Sequence, residues 1–454
     1  MKKDRSGSFV VAALLATCAA APVALAAVSP EEAARLKTVL TPSGAEKAGN
    51  ATGDIPAWTG GMAYRPELAT ARQIPDQHPN DRKVLTIDAS NAAQYSARLA
   101  PGLVQMLKTF PGFHIDIYPT HRDATFPAYR NENTFRNATT ATIANHFPVN
   151  AYSGFPFPIP KTGEEVAWNA NYGWRGYTTA SSSSGYLVPA GSSPILTSKF
   201  HSIKQAPVDD PSGNYQDWNG LLFATISQYY APPARAGEML LAWDDGTDGK
   251  LAYSVWQYLV GQRRVRKAPN IKYDGTYPDC SGYASSDEIE VWNGDTDRYT
   301  MNLLGKREMY IPYDNNGVYQ TSASELYGSH YVNPDKVRWE LHRVWVVDFQ
   351  VAPGARHTIP HRTVYFDEDT WMVMMADEYD SSGQLFRFNH AFTYAQPGIP
   401  ALWAQPNVVY DLRGGGYCSL SMFNFKDGDE GYYIVPPKPM SYYQPDAIAA
   451  ESAR

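Results

Sequence analysis

Long apolar runs are missing from this 454-residue chain except at its very start. No later segment approaches the roughly 20 consecutive apolar residues that a membrane-spanning helix needs. Cysteine is scarce, with only Cys18, Cys280 and Cys418, so neither a cysteine-rich scaffold nor a thiolate metal cluster is available. Positive charge is in deficit too: 39 Lys and Arg stand against 46 Asp and Glu, a formal net charge of −7, which argues against an electrostatically driven DNA or RNA binder. Catalytic signatures are also lacking. Gly414-Gly415-Gly416 has no Lys and Ser or Thr to make a phosphate loop, and the chain carries neither a Gly-x-Ser-x-Gly elbow nor a His-Glu-x-x-His zinc helix.

What is present begins with an address. Lys2, Lys3 and Arg5 precede a short apolar stretch from Phe9 to about Ala21, and Ala24-Leu25-Ala26 supplies a small-residue cleavage pattern, so residues 1–26 read as a secretory signal peptide. Export to the periplasm is expected. Cys18 follows Thr17, where an acylation site wants Gly, Ala or Ser, so lipid anchoring is not expected. Removal of Lys2, Lys3, Asp4 and Arg5 takes away a net +2 and leaves 428 residues at −9. That length buries a sizeable core, as one large or two fused domains. Cys280 and Cys418 are then the remaining pair, and in an oxidising compartment they are candidates for one bridge.

With 31 Tyr, 11 Trp and 17 Phe beside 34 Gly and 34 Pro, the composition suits many short pleated elements joined by turns. Residues 27–218 are read as helices, a strap and edge segments. Ser29, Pro30 and Glu32 open one helix that Thr41-Pro42 stops, and a second runs from about Ala89 to Phe110, split by Pro101-Gly102. Ala48 to Asn80 lacks any period and reads as a strap. Ser181 to Gly185 reads as a flexible loop.

Residues 219–446 read as successive antiparallel meanders, fused to the first part in a single unit. The first comprises Leu221–Tyr230, Arg235–Trp243 and Leu251–Val260; the second comprises Glu288–Trp292, Arg298–Leu304 and Arg307–Tyr313, with turns at Asn293-Gly294 and around Gly305. The third, Val337–Val351, Arg362–Phe366, Trp371–Asp377 and Gln384–Thr393, is punctuated by good turn chemistry, and Tyr417–Phe425 adds a last strand.

Three segments together carry a resemblance: Leu40 to Gly61 (LTPSGAEKAGNATGDIPAWTGG), Gly154 to Gly176 (GFPFPIPKTGEEVAWNANYGWRG), and Trp339 to Arg387 with HRVWVVDFQVAPGARH and YFDEDTWMVMMADEYDSSGQLFR. They resemble a proteobacterial family of exported proteins of unknown function, related to the outer-membrane lipoprotein-sorting (LolA/LolB-like) carriers. The resemblance implies an α+β fold, a large antiparallel and incompletely closed β-barrel with helices packed on or plugging its concave face over an apolar cavity. It also implies a shuttle with transient membrane contact, working beside a proton-driven inner-membrane exporter and an outer-membrane protein. Such an inference from fold sets a prior for function and does not establish it.

Alternation along Arg343–Val351 puts Trp345, Val347 and Phe349 on one face, and along Leu251–Val260 puts Trp256 and Tyr258 together, leaving two semi-apolar faces, one for helices and one for a cavity. Trp371, Met372 and Met374 complete the expected lining, unbranched thioethers being adaptable to ligands of variable shape. The expected guest is a hydrophobic small molecule or acyl chain, held without cofactor or metal; burying it yields about 0.8 kcal/mol per methylene. Arg263, Arg264, Arg266 and Lys267 form a basic run that would hold an anionic head group or dock an acidic partner, against the plainer reading of a charged edge strand. His357 and His361 are split by Pro360 and read as a turn, as do Asp367-Glu368-Asp369. The leading expectation is a non-enzymatic periplasmic carrier for a lipid-like molecule or lipidated protein. Its rivals are an adaptor subunit of an envelope export system and a cell-surface glycan-binding protein.

Overall fold

The computed structural model describes residues 27–247, 254–268 and 273–451; the expected signal peptide, Cys18 and the start of the 251–260 strand lie outside them. The described chain opens on α1 (Pro30–Ala33), where Ser29 Oγ accepts the Glu32 N–H at 3.2 Å and Pro30 takes the first helical position. The strap that follows holds only one 3₁₀ turn, Pro66–Leu68, before β1 (Leu85–Ile87), α2 (Pro101–Thr109) and β2 (Ile115–Ile117). Then come α3 (Ala128–Thr140), a small hairpin β3 (Thr142–Ala144) and β4 (Phe147–Val149), and α4 (Gly163–Asn171), which starts at a reciprocal Thr162–Glu165 capping box.

The long strands begin with β5 (Thr178–Val188), β6 (Ile195–Gln205), β7 (Leu221–Ala231), β8 (Met239–Asp245), β9 (Ser254–Leu259) and β10 (Arg264–Lys267). An irregular segment leads to β11 (Tyr299–Pro312), the one-turn helices α5 (Asn316–Tyr319) and α6 (Ala323–Leu326), and the core strands β12 (Arg338–Val351), β13 (His361–Asp367), β14 (Val373–Tyr379) and β15 (Leu385–Ala391). A second small hairpin, β16 (Tyr394–Gln396) and β17 (Ala401–Trp403), precedes β18 (Asn407–Asp411), β19 (Tyr417–Met422), β20 (Glu430–Ile434) and α7 (Pro445–Glu451).

The protein is strand-dominated α+β. One sheet runs β12-β13-β14-β15-β18-β19-β5-β6-β7-β8-β9-β10, with β11 on the outer side of β12, β20 continuing β19 along β5, and β1-β2 attached at the start of β12. All these pairings are antiparallel except β2 with β12. Among the described residues no pairing joins β11 to β10, so the sheet is not a closed barrel.

Three local expectations fail for physical reasons. Ser181–Gly185 is the middle of β5, buried along its whole length, because β6 and the β19–β20 pair hydrogen-bond it on both sides and supply what serine side chains do not. The two strands expected on either side of Gly305 are the single strand β11: Gly305, at φ +96°, is a bulge that lets the ladder with β12 continue. Glu288–Trp292 is no strand, since Glu290 (φ +56°) and Val291 (φ +70°) adopt left-handed backbone that a ladder cannot accept.

Register decides what each face meets. Val347, Val364, Ala376, Asn389, Val409, Cys418 and Leu187 follow one another across seven strands on one face. On that face sit α4, whose Gly163 lies directly against Val347, and the irregular segment between β10 and β11. On the other face, α2 rests on β14 and β15 at Gly102, so close that a Cβ there would meet Asp377 Oδ1 at 2.6 Å and Phe388 at 2.6 Å. Asp377 accepts the Gly102 N–H at 2.7 Å and the Tyr365 hydroxyl at 2.8 Å. The 3₁₀ turn Met440–Tyr443 covers β7, and α7 covers β8, β9 and β10, on this same side, with Tyr443 and Ile448 buried against the strands.

The segment between β10 and β11 is stapled to the sheet by a Cys280–Cys418 disulfide, with Cα atoms 5.5 Å apart. Since that bond closes 138 residues of chain, replacing both cysteines by alanine is expected to cost about 2–5 kcal/mol in denaturant unfolding. Burial pushes the Asp377 carboxyl up to about 7, its two donors only partly opposing this. The folded state therefore holds an extra proton between roughly pH 4 and 7, and stability falls as pH rises through that window, by about 4 kcal/mol for this group. Asp377→Asn is expected to flatten that part of the profile relative to the unmodified chain; an unchanged slope would count against the assignment.

Candidate functional site

Small side chains on neighbouring strands leave a hollow wherever nothing larger fills the space above them. On the face that carries α4, β5 presents Thr179, Ser181 and Ser183; β6 presents Phe200, Ser202 and Lys204; β7 presents Thr225, Ser227 and Tyr229. The register lines them up. Ser181, Ser202, Ser227 and Leu240 form one row across β5 to β8, and Thr179, Lys204, Thr225, Ala242 and Val255 form the next across β5 to β9. Ser202 and Ser227 share a hydrogen bond at 2.7 Å. Above these rows lies a cavity of about 130 Å3, walled by Tyr277, Ile289, Glu290 and Asn293 of the irregular segment and by Gln405, Ser421 and Tyr432 from the far side. Thr225, Leu240, Ile289, Asn293 and Ser421 are partly exposed, so the hollow meets solvent. Its surface is amphipathic: a floor of hydroxyls bordered by Phe200, Phe223, Leu240, Ala242 and Val255.

One charge centre lies in this wall. Glu290 pairs with Arg175 in a very short contact and stands 3.6 Å from Lys204 Nζ, which also lies 4.2 Å over the Phe223 ring. Lys204 keeps 13% side-chain exposure, and burial pushes its pKa down to about 8 against the pull of Glu290. Burial would raise the Glu290 carboxyl, but Arg175 and then Lys204 outweigh it and hold the group below its ordinary range.

The wall itself is fixed by buried ion pairs. Arg362, with no exposed surface, donates to Asp287 Oδ2 at 2.7 Å, His357 Nε2 lies 3.1 Å from the same oxygen, and Arg387 donates to Glu288 Oε2 at 2.8 Å. Asn407 Nδ2 donates to the Glu288 carbonyl at 2.9 Å, while its own carbonyl accepts the Glu290 N–H at 3.2 Å. His357 and His361 thus serve different partners, the latter lying 2.6 Å from Asp348. The Asp367-Glu368-Asp369 turn is buried rather than solvated, with Arg122 on Asp369 and Lys306 on Glu368.

Most of the apolar lining expected from sequence lies elsewhere. Val347, Phe349, Trp371 and Met374 have no exposed surface and fill the core under α4 and the strap. Trp345 stacks on Trp371 with ring centres 6.0 Å apart, Trp371 Nε1 donates to the Ser43 carbonyl, and Phe349 meets Trp292 edge to face at 5.1 Å. Met372 reaches a gap of about 20 Å3 beside Trp174, Arg175 and Glu290 that adjoins the larger hollow. Trp256 and Tyr258 are on the opposite face of β9 from Val255, packed on α7. β9 does have one face for a helix and one for a cavity, with the cavity side given by Val255.

The basic run is exposed on the edge strand. Arg263 sits in left-handed backbone (φ +47°), Lys267 lies 5.3 Å over the Trp256 ring, and Arg264 and Arg266 oppose Leu259 and Gln257, which puts both on the cavity side of the sheet. Lys204, Glu290 and the serine rows belong to no local sequence motif. Their one sequence signal is Thr179, Ser181 and Ser183 alternating inside a stretch that ends in the strand formers Tyr186-Leu187-Val188.

No helix among the described residues is long and apolar enough to cross a membrane. A model of a protein family of unknown function, DUF1329, matches residues 86–449. The uncharacterized protein PA3922 of Pseudomonas aeruginosa is 36% identical over 97% of this chain and 98% of its own length. Among solved structures, the chain is similar to a DUF1329 family protein from Desulfovibrio piger, at 13% identity and TM-score 0.43 over 63% of this chain and 97% of that one. It is similar also to a putative outer membrane lipoprotein-sorting protein domain from Vibrio parahaemolyticus, at 12% identity and TM-score 0.43 over 63% and 97%.

The depressed Lys204 can be read directly. In a chain whose lysines are reductively methylated with 13C, Lys204 is expected to titrate near pH 8, below the surface lysines, and Glu290→Gln is expected to lower it further because the attraction holding its proton is removed. Titration alongside the surface lysines would refute the buried placement.

Proposed function

The chain belongs to the DUF1329 family of proteins of unknown function, and on that footing we propose that it is a non-enzymatic periplasmic binding protein that carries a lipid-like amphiphile between the two membranes. The observation that carries this reading is the hollow on β5 to β9, which pairs aligned hydroxyl rows with an apolar border and keeps contact with solvent. An amphiphile would lay its apolar body on Phe200, Phe223, Leu240 and Val255 and hydrogen-bond its polar portion to Ser181, Ser202, Ser227 and Thr225. At about 130 Å3 the hollow is smaller than the roughly 300–1,000 Å3 typical of sites that swallow a drug-sized ligand. It therefore takes one end of a larger molecule, the rest leaving by the open side. Arg264 and Arg266, exposed on the same sheet face at the β10 edge, would meet an anionic group of a guest long enough to reach them. Each buried methylene would add about 0.8 kcal/mol before ordering costs, so neither covalent nor metal assistance is required for capture.

The test is solvent extraction and native mass spectrometry of protein purified from its own periplasm. A reproducible co-purifying amphiphile is expected, and its occupancy should fall by about tenfold or more when Leu240 or Val255 is replaced by Arg, which puts a charge into the hollow. Trp256→Arg should instead lower stability, because Trp256 packs on α7 and not on the ligand. Protein that is always empty, and that takes up neither fatty acid nor lysophospholipid when incubated with them, would end the reading.

A further inference from the structure

We propose that His78, Asp123 and Asp314 form a site for a divalent first-row metal cation, Zn2+ being its representative, which pins the N-terminal strap to the end of β11. The three residues come from distant parts of the chain: His78 from the strap, Asp123 from the segment between β2 and α3, and Asp314 from the turn after β11. His78 Nε2 lies 2.8 Å from Asp123 Oδ2 and 3.5 Å from Asp314 Oδ2, and one donor atom from each residue falls within 4.8 Å of the other two. Metal–ligand bonds of about 2.0–2.2 Å place adjacent donor atoms roughly 3–3.5 Å apart, close to the two distances from His78 to the carboxylates.

The independent sign of a guest is Asp314. Its side chain is 1% exposed, and neither carboxylate oxygen has a hydrogen-bond partner. Left-handed backbone at Asp314 (φ +49°) turns the carboxylate toward His78, while the neighbouring Asn315 spends its side-chain amide on the Arg338 carbonyl at 2.9 Å. A carboxyl buried this way is costly to ionise, so it takes up a proton unless a cation faces it. The nearby guanidinium is already committed: Arg338 donates to Asp81 and to Glu340, each at 2.5 Å. Asp123 and Asp314 are left to share one imidazole, and two carboxylates balance one divalent ion. His121 stacks on His78 with ring centres 3.6 Å apart and is held by Asp81 at 2.8 Å, which fixes the plane of the donor ring. Asp76 accepts the backbone N–H of His78 at 2.9 Å and holds the strap there. One imidazole with two carboxylates suits Zn2+ or Mn2+ better than Ca2+, which favours an all-oxygen shell. The donor set leaves coordination positions for water.

The untagged full chain is stripped with chelator, reloaded with Zn2+, passed through gel filtration and assayed for metal content and thermal midpoint. About one Zn2+ per chain and a midpoint several degrees above the stripped protein are expected, with no comparable rise from Ca2+. Asp314→Asn keeps the shape and removes the buried charge, so its stripped form should fold at least as well, while Zn2+ binding weakens by more than about tenfold and the midpoint shift disappears. Visible absorption of the Co2+-loaded chain gives a second readout, lost in His78→Gln. Background metal content in the unsubstituted chain, or the same Zn2+ stoichiometry and shift in both variants, would overturn the proposal.

Discussion

The cavity exists because three carboxylates are held down. Asp287, Glu288 and Glu290 belong to a segment with almost no regular structure of its own, and each is answered by a cation on or beside the sheet: Arg362, Arg387, and Arg175 with Lys204. Buried pairs of this kind add little net stability against a well-packed apolar alternative, because desolvation consumes most of the attraction. What they supply is position, since removing one partner strands the other in a medium that cannot solvate it. They also sustain the left-handed backbone at Glu290 and Val291, worth about 1–3 kcal/mol of strain apiece, which turns Glu290 into the hollow. Without this clamp the serine rows of β5 to β7 would be an open sheet face.

The chemistry of the hollow follows from what that face lacks. Large side chains at Ser181, Ser183, Ser202 and Ser227 would fill the volume and extend the core that Val347, Phe349 and Met374 make a few strands away. Serine and threonine leave room and carry a donor and two acceptors each, so the space is paid for in packing and returned as hydrogen-bonding capacity. A guest that is wholly hydrocarbon would waste that capacity; one that is amphiphilic uses both parts of the surface.

Much of the architecture was legible. The meanders from β7 to β9 and from β12 to β15 stand where alternation and turn chemistry put them, and the strap between α1 and β1 is as irregular as its glycines and prolines suggest. The strands β5 and β6 were not: a run of serines has the composition of a loop, and Ser184 is a strand residue because Lys199 of β6 pairs with it on one side and Met422, more than 200 residues away, on the other. The site failed for a related reason. Period two separates the residues of a strand into two sets, but which set meets a helix and which meets a cavity is settled by α4 and α7, and nothing in Trp256 or Trp345 states that. The buried charges escaped notice because Lys204, Glu290 and Arg175, like His78, Asp123 and Asp314, converge from separate segments and form no local motif.

The central place of β5 in the sheet carries a consequence for biogenesis. On one side it can zip to β6 as soon as both have emerged, but its other side is completed only by β19 and β20, which are synthesised last. Until the C-terminus arrives, an unpaired edge faces outward along a strand whose side chains do little to repel a second copy. Topologies with such distant pairings assemble slowly and spend longer open to intermolecular association. A chain cut short before Tyr417 would leave that edge permanently bare.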